Sequence, residues 1–417
     1  MEREPVKVVV VGGGFGGLSA IRSLKGESVS ITLIDRTNHH LFQPLLYQVA
    51  VSALSRGHIA TPLREIFRSQ SNVRIIMEEV RAVDCEHHLV HLKDQSIRFD
   101  FLILAPGSQP SYFGRLDWHQ HALSLKTLSD AIRIRDHILQ SFEIAERLVP
   151  SDEARRYLTF AIVGGGPTGV ELAGAIAEIA KHSIRPDFPG LNDEVISIVL
   201  IEANSRILKD FPPALSDYAK QSLERLGVEV QLNCRVTNLF ERGVEFSNRF
   251  LETDNVIWAA GNEASPLLKT LGRDLDDLGR VQVEKDLSLA GQPSVFVIGD
   301  AALNTDEEGN PLPGLAAVAI QQGRYVGHVI RNRIPKKARK HFRYQDRGKM
   351  ATLGRAKAVA EIKGCRLSGL FAWLVWCAVH VFYLIGFDRV RVIMEWIWYY
   401  LTFKPGEHLI QVTSRRE

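Results

Sequence analysis

Val8-Val9-Val10-Val11-Gly12-Gly13-Gly14-Phe15-Gly16-Gly17-Leu18-Ser19-Ala20 and, further on, Phe160-Ala161-Ile162-Val163-Gly164-Gly165-Gly166-Pro167-Thr168-Gly169-Val170-Glu171-Leu172 share one grammar. In each, a short apolar run predicts a strand, a glycine run ends it, and a helical pattern follows. Gly12, Gly14 and Gly17, and again Gly164, Gly166 and Gly169, fit G-x-G-x-x-G. The first glycine of such a loop makes the tight turn, the second lets a pyrophosphate approach backbone, and the third lets helix pack close on strand. The helix start then presents unpaired N–H groups to the phosphates. Each loop is followed by a second apolar run ending in an acid, Ser30-Ile31-Thr32-Leu33-Ile34-Asp35 and Ile198-Val199-Leu200-Ile201-Glu202. A carboxylate at that place accepts ribose hydroxyls. The repeated unit predicts an α/β chain with two Rossmann-like dinucleotide-binding domains. Glu202 disfavours a 2′-phosphate and so favours NADH over NADPH, although Arg206 nearby works against that preference.

Outward from these loops, Thr127-Leu128-Ser129-Asp130 predicts a capping box for a connector helix running to Leu148. Ser294-Val295-Phe296-Val297-Ile298 predicts a further strand that ends in Gly299-Asp300. A length of 417 residues exceeds what one core usually organises. With 51 basic and 48 acidic residues the net charge is only +3, so no global attraction to nucleic acid is expected. Cys85, Cys234, Cys365 and Cys377 form no CxxC pair and have no metal-ligand spacing, which argues against both a redox disulfide and a metal site. Met1-Glu2-Arg3-Glu4-Pro5 carries no signal or transit pattern, so the chain is expected to stay on the reducing side of a membrane.

With these motifs the chain resembles the two-dinucleotide-fold flavoprotein reductases and, within them, the type II NADH:quinone oxidoreductases, over essentially its whole length. Further motifs carry the resemblance: Phe101-Leu102-Ile103-Leu104-Ala105-Pro106-Gly107, with Pro106 where the commoner form has Thr; Asn38-His39-His40-Leu41-Phe42-Gln43-Pro44-Leu45-Leu46-Tyr47; Gly348-Lys349-Met350-Ala351-Thr352-Leu353-Gly354-Arg355; and Ala372-Trp373-Leu374-Val375-Trp376. It implies FAD at Gly12, Gly14, Phe15, Gly17, Asp35, Gly107 and Asp300, and NADH at Gly164, Gly166, Gly169 and Glu202. It also implies that the second fold is inserted in the first, with FAD-binding segments 1–115 and 290–345, an NADH-binding segment 116–289, and a C-terminal amphipathic helical membrane-associating region 346–417. The implied activity is non-proton-pumping transfer of a hydride from NADH to FAD and then of two electrons to a membrane quinone. Glu171 and Gln321 are the implied catalytic residues. The family pattern Ala-Gln-x-Ala-x-Gln reads here Ala316-Ala317-Val318-Ala319-Ile320-Gln321, so Ala317 keeps only a backbone N–H for the flavin. That departure leaves the quinone open among ubiquinone, menaquinone and plastid types.

Leu370 to Gly386 and Val392 to Phe403 are apolar runs shorter than the ~20 residues a spanning helix needs, which predicts a pair of surface-lying helices. Trp373, Trp376, Trp396, Trp398, Tyr399 and Tyr400 are the expected headgroup-level rings, and Lys336, Lys337, Arg339, Lys340, Arg389 and Arg391 the expected lipid-facing charges. A peripheral membrane protein on the cytoplasmic face follows, with a homodimer as an open option. Two other readings stay open: a soluble FAD-dependent NAD(P)H reductase of an electron-carrier protein, and a non-catalytic flavoprotein that senses NADH.

Overall fold

The computed structural model describes residues 4–26, 28–149, 151–192, 195–384 and 388–402. Two compact units share the chain: Met1–Leu41, Thr61–Gln109 and Asn262–Asp346 form the first, and Phe42–Ala60, Pro110–Gly261 and Arg347–Glu417 the second. Met1, Glu2 and Arg3, and the run ends Gly386 and Phe403, lie outside the described residues, as do the side chains of Tyr399 and Tyr400.

Each unit is built on one mostly parallel sheet. In the first, the strands run Ser288–Leu289, Gln292–Val297, Phe101–Leu104, Val6–Val11, Val29–Asp35 and Val73–Met77, all parallel except the short edge strand. In the second they run Leu123–Ser124, Asn255–Trp258, Thr159–Val163, Ser197–Ile201 and Val228–Gln231, all parallel. The central strands Val6–Val11 and Thr159–Val163 are near-continuous runs of buried apolar residues, as strands covered on both faces must be. The duplication extends to a three-stranded antiparallel insertion before the last inner strand: Ala82–Asp84, Leu89–His91 and Ser96–Arg98 in one unit, Val236–Phe240, Gly243–Phe246 and Arg249–Glu252 in the other.

Besides the stretch 42–60 and the step at 346/347, the chain passes between the units at 109/110 and 261/262. Residues after Gly261 side with the first unit because Ser288–Leu289 is the edge strand of its sheet. The connector helix is Leu128–Leu148, with Thr127 and Asp130 closing the predicted capping box.

Within the first unit, the glycine helix Phe15–Ser23 packs along the closing helix Ala316–Arg331. Backbone meets backbone there: a Cβ at Gly323 would stand 2.2 Å from the Gly16 carbonyl oxygen, and one at Gly327 would be 2.9 Å from that of Ala20. In the second unit, Lys349–Thr352, Ala358–Ile362 and Cys365–Ser368 form a three-stranded sheet that leads into tail helices Gly369–Tyr383 and Asp388–Thr402. No helix among the described residues is long and apolar enough to cross a membrane.

The tail corrects two expectations. Trp376 is fully buried and Trp396 is 5 % exposed, their rings 5.5 Å apart, so both belong to the core of the unit and not to a lipid face. Of the expected rings Trp398 is exposed, and with it the apolar side chains of Leu370, Phe371, Leu374, Phe382, Val390, Ile393, Met394 and Ile397. Arg339 does not face outward to lipid either: it binds the buried Asp286 carboxylate at 3.0 Å and donates to the Ile334 and Pro293 carbonyls, while Lys336, whose side chain stays exposed, binds the same carboxylate at 2.5 Å. Arg389 donates to the carbonyls of Phe382 and Leu384 at the end of the first tail helix.

The helix contact yields a first prediction. Gly323→Ala, a change that raises intrinsic helix propensity, should nevertheless destabilise the protein by about 1–3 kcal/mol, because the added methyl overpacks a rigid backbone contact. Denaturant unfolding of the purified protein measures it.

Candidate functional site

The two glycine loops repeat each other at the level of single hydrogen bonds. Gly12 N–H donates to the Ile34 carbonyl and Gly164 N–H to that of Ile201, both at 2.8 Å. Gly12 and Gly164 have φ of +101° and +111°, the left-handed region that favours glycine. A Cβ at Gly17 would lie 2.0 Å from the Gly12 carbonyl oxygen, and one at Gly169 1.9 Å from that of Gly164. At Gly14 and Gly166 a Cβ would meet nothing within 4 Å. Both loops therefore leave open space at the point where a pyrophosphate would approach the backbone, and both glycine helices, Phe15–Ser23 and Pro167–Ile179, start there without a side-chain cap.

The acids behave alike. Asp35 accepts from Gly13 N–H at 2.6 Å and from the Thr37 N–H and hydroxyl, each at 2.7 Å. Glu202 accepts from Gly165 N–H at 2.5 Å and from the Asn204 N–H at 2.7 Å, with the Asn204 amide beside it. Each carboxylate is thus aimed at its own glycine loop and held by the residue two positions on. An ionised carboxylate has about four acceptor sites, so capacity remains for ribose hydroxyls. Thr37 and Asn204 were not singled out from the sequence; acid-x-Thr and acid-x-Asn, the spacing of side chain-to-backbone turns, would have shown them.

Elsewhere in the first unit, Gly107 has φ +71° with open space at its Cβ position. Asp300 accepts from the Ser108 hydroxyl at 2.5 Å. Phe15 stands edge-on to the buried His40 ring at 4.9 Å. His40 lies 3.0 Å from the Gly13 carbonyl, an acceptor, so Nδ1 carries the proton. Burial brings the His40 pKa down to about 4, so the ring is neutral.

Ala317 is the second residue of the closing helix, whose Val318 and Ala319 N–H groups donate to the Leu315 carbonyl at 3.0 and 3.1 Å. Gln321 is taken up locally: its amide donates to the Gln345 carbonyl at 2.9 Å and accepts the Gln345 N–H at 3.0 Å. Its neighbour Gln322 is the buried one, 1 % exposed, and accepts the Gly299 N–H at 2.7 Å beside Asp300.

In the second unit, Glu171 sits in the glycine helix and accepts the Thr352 N–H at 3.3 Å. Burial pushes its pKa up to about 8, with the Thr352 hydrogen bond opposing. Two turns on, Glu178 accepts the Arg355 N–H at 2.5 Å, and burial raises it to about 7 against that bond and the Arg355 and Lys357 charges. Between them Gly174 meets the Gly354 backbone, a Cβ there standing 2.9 Å from its nitrogen. The turn 352–355, quoted above from the sequence, therefore lies against the helix face that carries both acids. Glu178 is a buried acid that the sequence reading passed over, although the i, i+7 spacing from Glu171 places it on the same face.

A family model described as pyridine nucleotide-disulphide oxidoreductase matches residues 6–323. NdhA of Mycobacterium tuberculosis, a type II NADH:quinone oxidoreductase, is 40% identical over 409 residues, covering 94% of this chain and 86% of its own. The chain belongs to the type II NADH:quinone oxidoreductases. A second enzyme of that name from the same organism, Ndh, is 39% identical over 418 residues, covering 96% of this chain and 89% of its own. The fold is that of NDH2 from Plasmodium falciparum, solved in complex with NADH, with a TM-score of 0.88 at 21% identity over 98% of this chain and 100% of that chain. The four cysteines are free in the structure, and burial pushes the Cys377 thiol up to about 12.

The buried acids give a second prediction. Glu171 holds a proton in the folded chain that the unfolded chain has released once pH passes the ordinary carboxyl value of 4.5. Stability should therefore fall as pH rises from there through about 8, with a slope of up to about 1.4 kcal/mol per pH unit. Glu178 acts with the same sign over a narrower range. Thermal unfolding across this range should show a shallower decline for Glu171→Gln than for the unaltered protein.

Proposed function

We propose that the chain oxidises NADH through bound FAD and reduces a membrane quinone. The observation that carries this reading is the pair of phosphate cradles, equal in backbone geometry and each facing an acid, in one chain of this family. Two such cradles accommodate two dinucleotides. The first would hold FAD, with Gly12, Gly14, Phe15 and Gly17 at the pyrophosphate, Asp35 at the ribose, and Gly107 and Asp300 along the rest of the cofactor. The second, with Gly164, Gly166, Gly169 and Glu202, would hold NADH. The chain path supports an inserted arrangement, since the second sheet's strands all fall between 123 and 258 while the first sheet's run from 6 to 297.

FAD, when bound, would supply the hydride and electron chemistry. The chain's own residues bind, orient and manage protons. Glycine-loop N–H groups and the helix start neutralise the pyrophosphates. Glu202 accepts the adenosine ribose hydroxyls, and its charge opposes a 2′-phosphate. The start of the closing helix, with Ala317 in its first turn, would offer partial positive charge to bound FAD. Glu171, neutral near pH 7, can donate a hydrogen bond to a nicotinamide amide or hold the proton that quinone reduction consumes. Gln321, engaged with Gln345, would act on a quinone only after leaving that pairing.

The exposed apolar side chains of the two tail helices support peripheral docking on a lipid surface, on the side of the membrane that holds the NADH pool. Fully burying a side chain of this size contributes about 1.5–3 kcal/mol. Phe371→Ser, Leu374→Ser and Trp398→Ser together should therefore release the protein from liposomes in co-sedimentation while leaving NADH oxidation by a water-soluble acceptor intact.

The function itself is tested with the purified flavoprotein, NADH and a panel of quinones. Quinone-dependent NADH consumption is expected. Turnover confined to a protein electron carrier would favour the soluble-reductase reading. In the same assay Glu202→Gln should narrow the preference for NADH over NADPH by roughly tenfold, because a neutral amide no longer repels the extra phosphate.

A further inference from the structure

The turn 352–355 crosses the glycine helix Pro167–Ile179 within the second unit, and three contacts fasten it there. At one end Glu171 Oε1 accepts the Thr352 N–H at 3.3 Å, and at the other Glu178 Oε1 accepts the Arg355 N–H at 2.5 Å. Between them the two backbones touch. A Cβ on Gly174 would stand 2.9 Å from the Gly354 nitrogen, and one on Gly354 would stand 2.8 Å from Glu178 Oε1. Gly354 also has a φ of +83°, which favours glycine. Positions 171, 174 and 178 are spaced i, i+3 and i+7, so they share one face of the helix, with the two acids about 10 Å apart along its axis.

The two acids differ in what acts on them. On Glu171 the causes are burial and the opposing Thr352 N–H, with no charged neighbour among them. Whether that carboxyl keeps its proton therefore depends on how closely the turn covers it. Glu178 has, besides its burial, the Arg355 N–H and the Arg355 and Lys357 charges. A change at Glu178 would thus reach Glu171 through the position of the turn and not through space.

We propose that Glu178 is a positioning residue for Glu171: by accepting the Arg355 N–H it holds the turn 352–355 against the glycine helix, and the held turn keeps water from the Glu171 carboxyl. Its bearing on turnover rests on the proposed role of Glu171 in managing protons. The donor is a backbone N–H, so position 178 needs an acceptor, charged or neutral. Gly174 serves the same end from beneath, because only a residue without a Cβ lets the turn lie flush on the helix.

Three single variants of the full-length, flavin-loaded protein test this. Glu178→Gln keeps an acceptor for the Arg355 N–H and removes the charge. Glu178→Leu removes the acceptor as well. Gly174→Ala leaves both acids in place and pushes on the turn with a methyl group. Protonation of Glu171 is read as the infrared C=O band of a carboxylic acid that is absent when the same protein also carries Glu171→Gln. Tyr47, Lys349, Arg355 and Lys357 are the other titratable groups on the helix, strand and turn laid over this face, and they are common to every variant.

In the unaltered protein the band should disappear with a midpoint of about 8. With Glu178→Leu and with Gly174→Ala the midpoint should fall by about one pH unit or more, toward the ordinary carboxyl range, because water again reaches the carboxylate. With Glu178→Gln it should stay in place. A midpoint unmoved in Glu178→Leu or in Gly174→Ala overturns the proposal. So does a fall in Glu178→Gln as large as that in Glu178→Leu, which would make the charge the cause. Gly174→Ala carries the test alone if Glu178→Leu does not fold. The alkaline fall of quinone kcat should follow the same midpoints, with flavin content retained. Infrared midpoints that move while the kcat profile stays fixed would uphold the positioning of Glu171 and overturn its assignment to the reaction instead.

Discussion

Close approach of backbone to backbone within the two glycine loops is the constraint on which the rest depends. Gly17 against the Gly12 carbonyl, and Gly169 against that of Gly164, let each glycine helix sit directly on its strand. A side chain at either place would lift the helix start away from the loop. With the helix seated, its unpaired N–H groups point into the open space at Gly14 or Gly166, and the acid at the end of the next strand can reach back to the loop. A few missing Cβ atoms thus set the distance between sheet and helix in both units. The close packing of the closing helix at Gly323 and Gly327 repeats the device between two helices.

The parts of the fold that were legible in the sequence are those with local causes. Glycine runs, the acids that follow them, the capping box at Thr127 and the two tail helices announce themselves within a few residues, because turn geometry and helix starts are short-range physics. The errors have long-range causes. Trp376 and Trp396 look like headgroup rings by composition, yet they are buried because Gln48, far back in the chain, supplies a partner for the Trp396 N–H and a core to pack against. Arg339 looks like a lipid-facing charge until Asp286 is placed beside it. Nothing within a window of sequence tells Gln321 from Gln322, and only the packed helix shows which of them reaches Gly299.

The site follows the same division. The cradles and their acids were legible, and so was Glu171 as an acid near a helix start. Its burial was not, since that comes from the turn at Thr352 to Arg355 laid over the helix from the far end of the chain. Where a carboxyl group is covered by backbone and offered a single N–H, desolvation outweighs the hydrogen bond, and the group keeps its proton near neutral pH. The sequence names such a residue, and the packing assigns its charge.

The interleaved path of the chain also imposes an order of assembly. All strands of the second sheet lie between Leu123 and Trp258, so that sheet can close as soon as this stretch has been synthesised. The first sheet begins earlier, with Val6–Val11, but waits for Gln292–Val297 to pair with Phe101–Leu104. Long-range pairing of this kind is slow, and its strand edges stay exposed meanwhile. Last of all comes Trp396: until it leaves the ribosome, the Gln48 amide lacks the donor that fixes its orientation. The half of the molecule that starts second is therefore able to form its sheet first, and the Trp396–Gln48 contact inside it forms only after the strands of both sheets have been made.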